Sequence, residues 1–194
     1  MKRGSAIAMA EFSQEGLIRL AGVETESVVD GPGLRGVVFF QGCPHQCPGC
    51  HNPETWDPDG GSLKTVEEIW RMLRYNPLLS GITISGGEPL LQPAGALALA
   101  QKTREAGGNV MIYTGFVWEE IMQRNSPLIN ALLQETFLLV DGPFLEVEKD
   151  PALLFRGSRN QRLIDVQASL AGGAPVIWRK KEGGMENRLD ETGS

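Results

Sequence analysis

The regular alternation of apolar runs with amphipathic segments is the feature that most constrains how this chain can fold. Mostly apolar runs at 35–41, 81–85, 109–114 and 136–141 are separated by segments with other patterns, and a further strand-like run lies at 17–23. Such runs, bounded by glycine or polar turns, are typical of strands buried on both faces. Strands that alternate with helices pair in parallel through right-handed crossovers, so the alternation predicts an α/β fold.

Three helical segments are predicted between these strands. Thr65 and Glu68 have the capping-box spacing and precede apolar residues at helical intervals. A second helix is predicted from Pro93 to the glycine pair that begins at Gly107. A third helical stretch is predicted over 117–135, with a break at its internal proline.

The length of the chain limits how far a barrel can close. A closed barrel of eight strand–helix units takes about 250 residues, whereas this chain has 194. We therefore predict an α/β fold in the form of a partial (β/α) barrel of parallel strands. The expected organisation is an N-terminal extension at 1–16, a single domain at 17–181 and a flexible polar tail at 182–194.

Charge and hydropathy argue against two classes of partner. The net charge is −6 and no basic block is present, which disfavours a nucleic acid as the main partner. No apolar run approaches the roughly 18 residues that span a membrane. The apolar stretch near the start, AIAMA, is too short for the core of a signal peptide. We therefore expect a cytoplasmic protein that binds neither nucleic acid nor membrane.

All three cysteines of the chain lie in one short segment, GCPHQCPGCHN at 42–52. Cys43, Cys47 and Cys50 have the spacing C-x3-C-x2-C. The prolines and glycines among them permit tight turns, so the three sulfurs can converge on one centre. An odd number of cysteines in a cytosolic chain makes a disulfide framework unexpected, and their clustering indicates a metal site.

Two kinds of metal site fit these residues. His51 could complete a Cys3His zinc site, although adjacent Cys50 and His51 reach one tetrahedral ion with difficulty. The other candidate is an iron–sulfur cluster. Electron-transfer clusters normally use four cysteines, so a cluster held by three leaves one iron open to a substrate or cofactor. Incidental cysteines are a third interpretation, which this spacing disfavours.

The other loops after predicted strands also carry unusual residues. SGGEP follows the strand at 81–85, TGF the strand at 109–114 and DGPF the strand at 136–141. Sites in parallel α/β folds lie at the carboxyl ends of the strands, where these loops and the cysteine loop meet. In SGGEP, Gly86 and Gly87 allow close backbone approach and Glu88 offers a carboxylate to an ammonium group, although a plain turn is the alternative.

The cysteine motif resembles the signature of the radical S-adenosylmethionine (SAM) family. That resemblance implies a [4Fe-4S] cluster on the three cysteines, whose fourth iron is chelated by the amino and carboxylate groups of SAM. Reductive cleavage of SAM then gives methionine and a 5′-deoxyadenosyl radical. The position before the last cysteine is often aromatic in this family, and here it is Gly49. The implied cofactor-binding residues are Gly49, Cys50, His51, Gly86, Gly87 and Glu88, with Thr114 and Asn52 as further candidates by position.

Flanking motifs indicate a subgroup within that family. The order VDGPGLR, FFQGC and CHNPETW resembles the proteins that activate glycyl radical enzymes. The segment 138–166, with RGSRNQR at 156–162, resembles the activating proteins of anaerobic (class III) ribonucleoside-triphosphate reductase. By charge alone, the three arginines of RGSRNQR fit equally a solvated face or contacts with a carboxylate or partner loop.

The resemblance implies an activating enzyme with a protein substrate. One electron from a flavodoxin-like or other low-potential donor would reach the cluster, and the glycyl radical would form on the anaerobic reductase. The nearest alternative is the activating enzyme of another glycyl radical enzyme, such as pyruvate formate-lyase. A more distant alternative is a non-catalytic zinc or electron-transfer module. His45 and His51 are the only histidines, and neither is expected to act as a general acid or base.

Overall fold

The computed structural model describes residues 16–75 and 77–180. Its centre is one eight-stranded sheet with the strand order β3-β1-β2-β4-β5-β6-β7-β8. The strands are β1 Leu17–Ser27, β2 Arg35–Phe40, β3 Ser62–Thr65, β4 Gly81–Gly86, β5 Asn109–Tyr113, β6 Leu138–Asp141, β7 Arg162–Asp165 and β8 Val176–Ile177. The predicted extension, apart from residue 16, and the predicted tail lie outside the described residues.

Four parallel strands form the middle of the sheet. β2 pairs with β4, β4 with β5 and β5 with β6, each in parallel register. The predicted α/β fold with a parallel-strand sheet is therefore confirmed. The strands outside this group pair antiparallel: β1 with β2 and β3, and β7 with β6 and β8. The predicted strand at 17–23 thus exists but runs antiparallel to its neighbour, because no crossover helix separates it from β2.

In the part of the chain that the structure describes, five α-helices connect or follow the strands, at Val66–Leu73 (α1), Pro93–Glu105 (α2), Trp118–Arg124 (α3), Pro127–Glu135 (α4) and Val166–Gly172 (α5). The predicted break within 117–135 is confirmed, since α4 begins at its proline with Ser126 as N-cap. No helix is predicted from the sequence at the position of α5. Among the described residues, no helix combines the length and apolar character needed to cross a membrane.

The two faces of the sheet are covered differently. One face packs against the helices in a large buried cluster that includes Phe40, Ile84, Leu99 and Ile112. The other face carries only a small buried cluster of Met111, Leu138, Val140 and Leu163. Side chains alternate between the faces of a strand, so β5 and β6 contribute to both clusters, with Ile112 and Leu139 in the large one. The second face is left with room for a cavity at the carboxyl ends of the parallel strands.

The capping box of α1 yields a stability prediction. The hydroxyl of Thr65 accepts from the amide of Glu68, and the Glu68 carboxylate accepts from the amide of Thr65 at 2.8 Å. Thr65→Ala removes one of these bonds and should lower the free energy of unfolding by about 1 kcal/mol, which corresponds to a melting temperature roughly 2–4 °C lower. Thr65→Ser keeps the acceptor and serves as the control in thermal unfolding. Equal melting temperatures for the alanine and serine variants would contradict this role.

Candidate active site

A cavity of about 490 Å³ opens at the carboxyl ends of the four parallel strands. Its lining includes residues from the loops after β2, β4, β5 and β6, together with two residues of the β1–β2 loop. This is the end of the sheet at which the sequence analysis expects a site. The volume falls within the roughly 300–1,000 Å³ typical of ligand pockets.

The cysteine loop forms one side of this cavity, and all three thiols line it. The backbone fixes the loop at both ends. The amide of Gly42 donates to the carbonyl of Thr55, and that of Cys43 donates to the carbonyl of Trp56 at 3.1 Å. Within the loop, the amide of Asn52 donates to Sγ of Cys50 at 3.4 Å. Amide donors to sulfur stabilise thiolates and tune iron–sulfur clusters, so this donor set fits such a cluster.

Burial affects the protonation of the thiols. It raises the pKa of Cys43 to about 11. The pKa of Cys47 is also raised by burial, while the backbone amide of Phe144 acts in the opposite direction. In the metal-free protein these two thiols are therefore protonated at neutral pH. Metal binding has to displace those protons, because thiolates are the ligands.

Neither the three cysteines alone nor the Cys3His set is arranged around a single metal ion. Within residues 16–75 and 77–180, no three His, Cys, Asp or Glu side chains are grouped so as to hold a single metal ion. The ring of His51 instead packs against Phe144, with 5.1 Å between the ring centroids.

Two glycines bring the SGGEP loop into direct backbone contact with the cysteine loop. A Cβ added at Gly87 would lie 2.4 Å from the carbonyl oxygen of Gly42. At Gly86, which has φ +93°, it would lie 2.6 Å from the backbone of Phe40. The amides of Gly87 and Glu88 donate to the carbonyls of Phe40 and Gly42. Only glycine permits these contacts, so the two loops are fixed relative to each other without intervening side chains.

Glu88 is fully buried, and its carboxylate does not line the cavity. It accepts hydrogen bonds from the amides of Leu90 and Gly115 and from the hydroxyl of Thr114. Its Oε2 also lies 3.0 Å from Nε2 of His45, a residue of the cysteine loop. The sequence predicts an ammonium ligand for this carboxylate, and that role stays a prediction. In the structure the carboxylate joins the loops that follow β2, β4 and β5.

The other predicted site residues fall into two groups. Cys50, His51, Gly86 and Gly87 line the cavity, as do the positional candidates Asn52 and Thr114. Gly49 does not. It is exposed, with φ +74°, and a Cβ added there would lie 3.0 Å from Cδ of Glu146. The side chain of Glu146 therefore lies where a side chain at position 49 would begin.

A buried arginine positions the β1–β2 loop over the sheet. The guanidinium of Arg35 donates to the Thr83 hydroxyl at 2.8 Å, to the Asn109 side chain and to backbone carbonyls that include those of Pro32 and Ile82. Burial lowers its pKa to about 10. Together with the bond from the Thr83 hydroxyl to the carbonyl of Asp30, these contacts place Asp30 in the cavity lining. The sequence motif VDGPGLR therefore has a structural explanation.

Several lining residues were not predicted from the sequence. They are mainly aromatic or apolar, and include Val29, Tyr113, Phe144, Leu153 and Phe155. No acid–base role is predicted for His45, and the contacts of its ring were not predicted either: it packs on Phe116 with ring centroids 4.5 Å apart and contacts Glu88. In the sequence, His45 is marked only by its position between the predicted ligands Cys43 and Cys47. That position does not identify the residue that its side chain contacts.

Comparison with known proteins places these features in a family. The family described as "4Fe-4S single cluster domain" matches residues 29–164. The chain is 37% identical over 143 residues to the anaerobic ribonucleoside-triphosphate reductase-activating protein of Salmonella typhi, which covers 69% of this chain and 90% of that protein.

Two other similarities are less extensive. The pyruvate formate-lyase-activating enzyme of Clostridium pasteurianum is 44% identical over 101 residues, which covers 50% of this chain and 42% of that enzyme. The chain therefore matches less than half the length of that relative. Among solved structures, QueE from Escherichia coli is similar over 57% of each chain, with 18% identity and a TM-score of 0.40.

Proposed function

The chain belongs to the 4Fe-4S single cluster domain family and to the group of anaerobic ribonucleoside-triphosphate reductase-activating proteins within it, and we propose that it generates the glycyl radical of such a reductase. The observation that carries this proposal is the joint placement of three thiols and a glycine loop on one cavity. The match to 90% of the Salmonella protein supports the choice of partner.

Cys43, Cys47 and Cys50 would hold the [4Fe-4S] cluster. With the cluster and SAM bound, the chemistry supplied there would be one-electron reductive cleavage of SAM to methionine and a 5′-deoxyadenosyl radical, and that radical would take a hydrogen atom from a glycine of the partner. The chain itself keeps the thiol loop in place through the bonds of Gly42 and Cys43 to the following segment. The amide of Asn52 stabilises the charge on the sulfur of Cys50.

Backbone and small polar groups would hold SAM. Gly86 and Gly87 present their backbone to the cavity beside the cysteine loop, which suits an ammonium group that is bound by carbonyls. Thr114, Asn52 and Asp30 add polar atoms to the lining. Glu88 acts here as a positioning residue, because its oxygens already accept from three loops.

The partner would cover the open side of the cavity. Exposed apolar residues lie in two segments that also contribute to the cavity lining: Val28 and Val29 in the β1–β2 loop, and Leu145, Val147 and Leu154 in the β6–β7 connection. Exposed apolar residues grouped around a cavity are typical of surfaces that bind another protein. A partner seated there would exclude water from the radical chemistry.

The remaining components follow from the same proposal. A flavodoxin-like or other low-potential donor would reduce the cluster, and the reaction would take place in the cytoplasm. The net charge of −6 gives no support for a nucleic acid as partner.

Electron paramagnetic resonance tests the proposal. The protein with its cluster reconstituted under anaerobic conditions is mixed with SAM, a reductant and an anaerobic reductase. A doublet assigned to a glycyl radical on the reductase is the expected result, and reactions without SAM or with the reductase glycine replaced by alanine should lack it. Deoxyadenosine formation without any protein radical would contradict the assignment of the substrate. If no deoxyadenosine forms at all, the result would contradict the proposed cleavage of SAM by this protein.

Activation of pyruvate formate-lyase is a second candidate function. The 44% identity to the Clostridium pasteurianum enzyme favours it. The same experiment with pyruvate formate-lyase in place of the reductase separates the two candidates. A doublet on that enzyme and none on the reductase would reverse the assignment.

A further inference from the structure

One large apolar side chain is more exposed than any other that the structure describes: Val147, at 93%. It lies in the segment LEVEKD at 145–150, which is called the LEVEKD turn below. The turn belongs to the β6–β7 connection and contains one turn of 3-10 helix at Glu146–Glu148. Single exposed apolar residues are common on protein surfaces, so the meaning of Val147 depends on its surroundings.

The LEVEKD turn is held by hydrogen bonds on both sides of Val147. The amide of Glu148 donates to the carbonyl of Leu145, and the amide of Leu145 donates to the hydroxyl of the fully buried Ser158. On the other side, the amide of Arg159 donates to the carbonyl of Glu148 at 2.9 Å. The guanidinium of Arg159 forms an ion pair with Asp150 at 3.0 Å. A turn that is already ordered loses little conformational entropy on binding.

The charges beside Val147 are mainly acidic. Glu146 and Glu148 flank it in the sequence, and neither carboxylate has an ion-pair partner in the described ranges. Lys149 has no such partner there either, whereas Asp150 is paired within the chain. The turn therefore presents an apolar side chain with two unpaired carboxylates and one ammonium group. This pattern is complementary to an apolar pocket that is surrounded by basic side chains.

The LEVEKD turn is also in contact with the cysteine loop. The side chain of Glu146 packs on Gly49, where an added Cβ would lie 3.0 Å from its Cδ. Phe144 directly precedes the turn, and its ring packs against His51. The backbone amide of Phe144 is hydrogen-bonded to Cys47. A protein that binds the turn is thereby placed at a defined position relative to the three thiols.

We propose that the LEVEKD turn is the main docking element for the reductase, and that Val147 inserts into an apolar pocket of the reductase lined at its edge by basic side chains. This inference rests on the proposed function and adds the chemistry of the partner surface to it. Removal of the valine from water contributes affinity, and the two carboxylates orient the partner. A second copy of this chain fits less well, because a symmetric contact through the turn would oppose like charges.

Direct binding to the reductase tests this proposal without measuring turnover. Dye-labelled anaerobic reductase is titrated under anaerobic conditions with the full chain carrying its reconstituted cluster, and fluorescence anisotropy gives Kd. Val147→Ser should weaken binding by about 10- to 100-fold. Leu78→Ser is the control. Leu78 is 78% exposed but precedes β4, at the opposite end of the sheet, so this variant should bind like the wild type.

Two charge variants test the basic edge of the pocket. Glu148→Lys should weaken binding by about tenfold at low salt, and Lys149→Glu should strengthen it by about threefold. Both differences should shrink as the salt concentration rises, because salt screens exposed charges. A general loss of folding would weaken binding in both variants, so opposite effects at neighbouring positions identify an electrostatic contact. Equal affinities in the two variants would contradict a basic edge.

The outcomes separate the inference from the function on which it rests. A wild type that neither binds the reductase nor gives the glycyl doublet contradicts the proposed function itself. A wild type that gives the doublet, with unchanged affinity in Val147→Ser, overturns the docking role and leaves the function in place. Equal weakening in Leu78→Ser would indicate unspecific apolar contact and also overturn the proposal. A change from dimer to monomer of the free Val147→Ser chain in sedimentation analysis, with unchanged affinity for the reductase, would assign the turn to a contact between copies instead.

Discussion

Replacement of Cys43, Cys47 or Cys50 by serine is expected to abolish deoxyadenosine formation. The three thiols line one cavity and the chain has no fourth cysteine to substitute for a lost one. A cluster held by three thiolates therefore loses a third of its protein ligands in each variant. Iron and sulfide content should fall together with the visible absorbance of the reconstituted protein. The thiols are only partly buried, so the fold itself should tolerate the change.

Gln46→Ser is the matched control for these variants. It lies in the same loop, is exposed and introduces the same residue. Its φ of +44° is unfavourable for glutamine and serine alike. This variant should keep its iron and its activity. Deoxyadenosine formation at the wild-type rate in any of the three cysteine variants would remove the basis of the proposed mechanism.

Glu88→Gln is expected to destabilise the protein and to loosen the cysteine loop. The carboxylate accepts from two amides, one hydroxyl and His45 in a fully buried position. An amide there offers only one acceptor oxygen and turns an NH2 group toward existing donors. The expected cost is about 3 kcal/mol, which corresponds to a melting temperature about 6–12 °C lower. Iron retention should fall as well, since His45 loses its anchor.

The same substitution at an exposed site is the control for this variant. Glu68 caps α1 at the surface, and glutamine can replace glutamate in a capping box, so Glu68→Gln should change the melting temperature little. The two roles considered for Glu88 give different results. A direct contact with SAM predicts weaker SAM binding at unchanged stability, and that result would contradict the positioning role assigned from the structure.

The strands and helices that can be predicted from the sequence are those whose residue pattern lies within one short segment. β2, β4, β5 and β6 were recognised because each is an apolar run bounded by a turn, and α1 because Thr65 and Glu68 form its cap. β3, β7 and β8 were not recognised. They have two to four residues, and SLKT or RLID carries too little periodicity to be distinguished from a loop.

Side-chain orientation in the site depends on contacts between distant residues. From the sequence, the Glu88 carboxylate is predicted to bind an ammonium group, and that role stays a prediction. The structure adds contacts that the sequence does not show, because Thr114, Gly115 and His45 bring donors to this carboxylate from two other loops. Likewise, Arg162 contacts the carboxylates of Asp141 and Glu119, which lie on β6 and α3. These pairings join separate segments of the sequence, so no single segment shows them.

The backbone contact between the cysteine loop and the SGGEP loop has a consequence for how such chains diverge. A Cβ added at Gly87 would lie only 2.4 Å from the carbonyl oxygen of Gly42. Because the backbones are this close, neither loop can accept an inserted residue without displacing the other. Insertions are then tolerated at the opposite end of the sheet, in the connections that precede β4 and β5. Length variation among related chains should accumulate there, and the thiol end should keep its spacing.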